Sequence, residues 1–119
     1  MINLDKINEV DWNCKKVTIL GAGVTGIGAA KLAEYFKMDV LLSDAVINVT
    51  DIEETSLIQF ESGHSNQVLK SDFVIKSPGI SNQSDIVKRC IEQNIPIVSE
   101  IEFASWFSKS DIIAITGSN

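Results

Sequence analysis

The chain has 119 residues, 45% of them hydrophobic and 22% charged, the balance of one ordinary globular domain able to bury its own core. Its net charge of −6 argues against nonspecific binding to nucleic acid or an anionic membrane, which needs a basic patch. One His and two cysteines, Cys14 and Cys90, outside any CxxC spacing, are too few for a structural zinc site and read as buried thiols in a reducing compartment.

The first element is the apolar run Val17-Thr18-Ile19-Leu20, continuous rather than alternating, as in a strand buried on both faces. Gly21-Ala22-Gly23-Val24-Thr25-Gly26 follows at once. It opens a helix in which Ala29, Leu32, Ala33 and Phe36 share a face while Lys31 and Glu34 point away. A GxGxxG between a strand and a helix is the context in which that motif carries meaning. Gly21 is expected to make the tight turn, Gly23 to let a ligand approach the backbone, and Gly26 to let helix and strand pack closely. The free N–H groups at the helix start then face a diphosphate, helped by the helix dipole. Thr25 adds a hydroxyl donor.

Val40-Leu41-Leu42 is the second strand, and Asp44 ends it, 18 residues after Gly26. That position reaches the nucleoside of a loop-bound ligand, where a carboxylate accepts from ribose hydroxyls or from the N3–H of a uracil. The alternative is that Asp44 only begins a turn. Thr50-Asp51-Ile52-Glu53 fits a capping box, so a helix is expected from Asp51 to Glu61, stopped at Gly63. A weak edge strand is expected from Ser65 to Leu69. His64, without a sequence-local partner, reads as a solvated loop histidine.

Phe73-Val74-Ile75 is the next strand, followed by Ser77-Pro78-Gly79-Ile80-Ser81. Proline fixes φ and glycine permits an unusual one, so this is a rigid turn, either structural or at the ligand edge of the sheet. Ser84 caps a helix in which Ile86, Val87, Cys90 and Ile91 oppose Lys88, Arg89 and Glu92, with Asn94 as its stop. Ile95-Pro96-Ile97-Val98 is a short strand whose proline must sit at its start or at an edge. Ser99-Glu100-Ile101-Glu102 is a second capping box, with Glu100 favoured by the dipole of its own helix. Trp106-Phe107 reads as core.

Ile112-Ile113-Ala114-Ile115 is a further buried strand, and Thr116-Gly117-Ser118-Asn119 opens a loop like the first residues of a P-loop, without its Lys or the following Ser/Thr. Strands alternating with helices give right-handed crossovers and an α/β fold, a parallel sheet of about five strands with helices on both faces. No apolar run approaches the ~20 residues of a membrane-spanning helix, and the first residues lack a signal-peptide core. The expected location is the cytoplasm. Residues 1–119 read as one domain that ends where a P-loop starts, and so as a fragment.

The ordered set Gly21-Ala22-Gly23-Val24-Thr25-Gly26, Ser77-Pro78-Gly79-Ile80, Ser99-Glu100-Ile101-Glu102 and Ile115-Thr116-Gly117-Ser118-Asn119 resembles the N-terminal domain of the Mur ligases of bacterial cell-wall synthesis. The resemblance is closest to the branch that adds D-glutamate. It covers nearly the whole chain, with Ile47 to Leu69 the weakest part. It implies a Rossmann-like domain that holds UDP-N-acetylmuramoyl-L-alanine rather than NAD. By position, Gly21 and Gly23 shape the loop and Val24, Thr25 and Gly26 meet the diphosphate. Asp44 and Ala45 meet the uracil end, and Gly79 lies along the nucleotide or sugar. Relatives often carry Asp-Thr-Arg where this chain has Asp44-Ala45-Val46, so a hydroxyl and a guanidinium are missing here. The resemblance further implies an ATP- and Mg²⁺-dependent amide ligation by the whole protein, with Thr116, Gly117, Ser118 and Asn119 starting the ATP loop. Central and C-terminal ligase domains would carry the catalytic residues, leaving this chain inactive alone. The rival reading is an NAD(P)-binding domain of a dehydrogenase or nucleotide sensor.

Overall fold

The continuous apolar runs form the centre of a parallel sheet. A computed structural model describes residues 9–47 and 52–107. Its strands are β1 (Lys16–Leu20), β2 (Asp39–Asp44), β3 (Ile58–Ser62), β4 (Phe73–Lys76) and β5 (Ile97–Ser99). They are joined in the order β3-β2-β1-β4-β5, with every pair parallel. The helices are α1 (Val24–Tyr35), α2 (Asp85–Glu92) and α3 (Glu100–Ser105). This is the Rossmann-like α/β arrangement, in which the order reverses between β1 and β4 and ligands lie beyond the carboxyl ends of those strands.

Side chains alternate between two cores. Val17, Ile19, Val40, Leu42, Ile58, Phe73 and Ile75 pack with Ala29, Ala30, Leu32 and Ala33 of α1 and Phe103 of α3. On the other face Leu20 and Val74 meet Val68 and the α2 residues Ile86, Val87 and Cys90. The helical periodicity therefore placed the buried faces of α1 and α2, except that Ile91 is exposed. Trp106 and Phe107 lie in an aromatic cluster with Trp12, Phe36, Phe73 and Phe103. Pro96 stands just before β5, where its carbonyl accepts the Val74 N–H at 2.9 Å. Asn94 follows α2 with a positive φ of 58°. Ser84 is the N-cap residue of α2, though its side chain makes no capping bond.

The segment between β2 and β4 differs from the expectation. No helix runs from Ile52 to Glu61; the edge strand is β3, and Asn66–Lys70 forms a 3₁₀ turn instead of a strand. Thr55 Oγ1 accepts the N–H groups of Leu57 at 3.2 Å and Ile58 at 3.0 Å, and Glu54 Oε2 accepts that of Phe60 at 3.1 Å. Local side chains thus satisfy the backbone in place of a helix ladder, and the Ile58-Gln59-Phe60 alternation settles against β2. Gly63, expected as a helix stop, follows β3 with φ of 82°. The Ser65 hydroxyl accepts the Gln67 N–H at 3.1 Å and caps the 3₁₀ turn. Thr50 and Asp51 of the first capping box and the strand expected at Ile112–Ile115 lie outside the described residues.

Cys14 and Cys90 are both free, but only Cys90 is buried; Cys14 is exposed. Burial pushes the Cys90 thiol up, against a smaller opposing effect of the Arg89 charge. Thiolate is the reactive form, so a thiol reagent at neutral pH should modify Cys14 in the native protein and Cys90 only after denaturant is added. Two equally fast thiols would contradict this packing. Among the described residues no helix is long and apolar enough to cross a membrane.

Candidate functional site

The glycine loop links β1 to α1 at the point where the strand order reverses. Gly21 has φ of 111°, a conformation that favours glycine. A Cβ there would stand 2.7 Å from the Ser77 Cβ, so the loop and the turn after β4 touch. Ser77 N–H also donates to Leu20 O at 3.0 Å. Gly26 permits the close approach of α1: a Cβ there would lie 2.0 Å from the Gly21 carbonyl oxygen. No atom of the described residues lies within 4 Å of such a Cβ at Gly23, so this side of the loop is open. Gly21 and Gly26 thus have the settings that their expected roles in the turn and in the packing require.

Gly23 is the N-cap of α1 and supplies no side-chain cap. The first intrahelical bond runs from Ile27 N–H to Gly23 O at 2.9 Å. The N–H groups of Val24, Thr25 and Gly26 therefore have no hydrogen-bond partner among the described residues. Unpartnered N–H groups at a helix start bind anions well. Val24 itself is 86% exposed.

Asp44 does more than begin a turn. Its Oδ2 accepts the Ala22 N–H at 2.8 Å and its Oδ1 accepts the Ala45 N–H at 2.7 Å. Gly21 N–H donates to Ser43 O at 2.8 Å. The end of β2 thereby fixes the glycine loop, and Asp44 positions it. A carboxylate has about four acceptor sites, so acceptor capacity remains on Asp44 beyond the two backbone bonds. Ala45 and Val46 are exposed beside it.

Behind Asp44 lies a polar cluster that sequence reasoning did not assemble. The fully buried Ser43 donates its hydroxyl proton to Glu61 Oε2 at 2.8 Å, and His64 Nδ1 lies 2.7 Å from the Ser43 hydroxyl oxygen. A hydroxyl has one proton and a carboxylate only accepts, so His64 Nδ1 carries the hydrogen and donates to Ser43. His64 is thus half-buried and paired, not the solvated loop residue expected. Ser65 adds bonds to Glu61 from its N–H at 3.1 Å and from its hydroxyl. Burial pushes the Glu61 carboxyl up, but the Ser65 and Ser43 hydroxyls, the Ser65 N–H and the His64 charge outweigh it and hold it below the ordinary 4.5. A depressed carboxyl stabilises the fold above the unfolded value and loses that contribution as pH falls through the native one. Urea melts across the acid range should therefore show a limb below pH 4.5 that E61Q flattens; an unchanged limb in E61Q would show that Glu61 is not its source.

Gly79 takes an ordinary φ, since the positive-φ glycines among the described residues are Gly21 and Gly63. The turn is rigid for other reasons. Ile80 N–H donates to Ser77 O at 3.0 Å, and Lys76 Nζ donates to Ile80 O at 2.7 Å and Ser77 O at 3.2 Å. Pro78 lines a largely apolar cavity of about 400 Å³ with Thr25, Ala29, Leu32, Glu100 and Phe103, which places the turn beside the loop.

In this structure the hydroxyl of Thr25, expected to face a phosphate, is engaged within the protein. Thr25 Oγ1 donates to Glu100 Oε1 at 2.7 Å, so its proton is already engaged. Ser99 caps α3 by accepting the Glu102 N–H at 3.0 Å, the hydroxyl half of the expected capping box. That cap sets Glu100 at the first helical position, directly after β5, and its carboxylate reaches the start of α1. Its place at the carboxyl end of a parallel strand is the signal that could have flagged it. Thr116, Gly117, Ser118 and Asn119 lie outside the described residues.

Comparison with known proteins converges on one family. Residues 15–99 match the family model described as Mur ligase MurD-like, N-terminal domain. A protein named UDP-N-acetylmuramoylalanine--D-glutamate ligase from Bacteroides fragilis is 42% identical over 111 residues, covering 88% of this chain and 25% of that protein. Proteins of the same name from Christiangramia forsetii and Chlorobium phaeobacteroides are each 41% identical, over 114 and 118 residues. They match 88% and 95% of this chain, and 25% of each relative. The chain thus spans about a quarter of the length of the curated relatives it matches.

Proposed function

Because the chain belongs to the Mur ligase family as a MurD-like N-terminal domain, we propose that it grips the UDP end of UDP-N-acetylmuramoyl-L-alanine. The observation that carries this reading is the start of α1, where three N–H groups without a partner among the described residues open beside Gly23. Two phosphates suit such a cradle, since each needs donors and the helix end supplies them without a desolvated cation. Asp44 holds the loop in shape and has acceptor capacity for the nucleoside, and Ala45 lies at the uracil side. Gly79 and Pro78 border the path toward the sugar.

The whole protein would then use ATP and Mg²⁺ to phosphorylate the muramoyl-L-alanine carboxylate. The D-glutamate amine would attack the resulting acyl phosphate, forming the amide and releasing phosphate. Residues 1–119 form the UDP-sugar-binding domain in this reading. Thr116 to Asn119 begin the ATP loop, and central and C-terminal ligase domains supply the catalytic groups. The chain alone would neither hydrolyse ATP nor ligate, and it would act in the cytoplasm without nucleic acid or membrane partners.

Binding by isothermal titration of the 119-residue chain tests the reading. UDP should bind in roughly the millimolar range, about −4 kcal/mol, more tightly than uridine, which lacks the phosphates, and more tightly than NAD. Equal affinity for uridine and UDP would remove the phosphate cradle. Tighter NAD binding with no response to UDP would favour a dinucleotide domain instead.

A further inference from the structure

The carboxylate of Glu100 lies at the start of α1 rather than only at the start of its own helix. One oxygen, Oε1, accepts the Thr25 hydroxyl at 2.7 Å. The other, Oε2, is buried without a hydrogen-bond partner among the described residues. It would stand 3.5 Å from a Cβ on Gly26. A buried carboxylate oxygen without a donor is a costly arrangement, and what favours it here is the positive end of α1. Glu100 therefore supplies the negative charge that this helix end attracts.

A diphosphate arriving at the same helix end meets two obstacles. It carries negative charge toward a carboxylate already there, and like charges repel strongly where water is partly excluded. It also meets a Thr25 hydroxyl whose one proton is committed to Glu100, leaving that side chain only acceptor capacity. Release of Thr25 by Glu100 removes both obstacles at once. The hydroxyl then turns its proton to a phosphate oxygen, and the carboxylate leaves the cradle.

We propose that Glu100 is a built-in competitor for the diphosphate, so that occupancy of the cradle and the Thr25–Glu100 bond between α1 and α3 exclude each other. This inference rests on the diphosphate reading of the site and adds its regulation. It makes α3 the element that responds when the nucleotide arrives, and it sets the intrinsic affinity of the site low by design of the fold.

Calorimetric titration of the wild type, E100Q and E100A with inorganic pyrophosphate and with UDP separates the possibilities, once thermal melts show that the variants are folded. Glutamine keeps the size and the acceptor for Thr25 while removing the charge; alanine removes both. Both variants should bind pyrophosphate and UDP more tightly than the wild type, E100Q by roughly tenfold. Equal or weaker binding by both variants overturns the inference, and if the wild type still binds UDP, the diphosphate reading survives it. If the variants gain affinity for pyrophosphate but UDP binds no better than pyrophosphate, the competitor role holds and the UDP reading fails. Absence of binding by every protein to either anion overturns both.

Discussion

Replacing Gly26 with alanine should lower stability by about 3 kcal/mol or more and the melting temperature by on the order of 10 °C. The added Cβ would lie 2.0 Å from the Gly21 carbonyl oxygen and 3.1 Å from its carbonyl carbon. Both are backbone atoms, so no rotamer change relieves the collision. The loop itself is fixed by Gly21 N–H on Ser43 O and Ala22 N–H on Asp44. Either α1 lifts away from β1, opening the core beneath Ala29, Ala30 and Ala33, or the loop breaks its bonds to β2. Gly23→Ala is the matched comparison. Its φ is −76° and none of the described residues comes within 4 Å of the new methyl, so its stability should change by no more than about 1 kcal/mol. Its affinity for UDP should nevertheless fall, since the methyl occupies the approach to the N–H groups. Similar melting temperatures for the two variants would contradict this division of roles.

Phe73→Ala should cost about 3–5 kcal/mol, a large part of the 5–15 kcal/mol typical of a domain. Phe73 is fully buried at the start of β4. Its ring centroid lies 5.9 Å from that of Trp12, 5.8 Å from Phe103 and 5.5 Å from Trp106. Removing it leaves a cavity between the sheet and α3 that rigid rings close poorly. The chain's two tryptophans, Trp12 and Trp106, both face this ring. Urea melts followed by tryptophan emission should thus show an earlier midpoint and a native spectrum shifted to the red. A midpoint close to wild type would mean that the cluster repacks and that Phe73 is not its centre.

Much of the sheet was legible because strands buried on both faces are written as continuous apolar runs, and Val17–Leu20, Val40–Leu42 and Phe73–Ile75 are such runs. The edge strand was not. β3 is covered on one side only, so Ile58-Gln59-Phe60 carries a short alternation that a helix over the same residues accommodates equally well. What decided it was side-chain bonding by Glu54 and Thr55, which depends on chain geometry rather than composition. The glycine loop was legible because backbone requirements are local: a positive φ at Gly21 and a close approach at Gly26 arise within six residues. The partners of the loop were harder to find. Glu100 lies 75 positions from Thr25, and Glu61 lies 18 from Ser43. Only the parallel order β3-β2-β1-β4-β5 brings those strand ends to one edge. Glu100 also suits the N-terminus of its own helix, where the dipole of α3 favours a carboxylate, and its sequence neighbours carry no sign of the second helix that it reaches.

The most direct test of the cradle is an amide chemical-shift map of the 119-residue chain titrated with UDP, with NAD as the comparison. Binding by backbone N–H groups at the start of α1 predicts the largest downfield shifts at Val24, Thr25 and Gly26, with smaller changes at Ala22, Ala45 and Gly79 and weaker effects from NAD. Shifts confined to other faces of the domain, with the amides of Val24, Thr25 and Gly26 unmoved at saturating UDP, would contradict it.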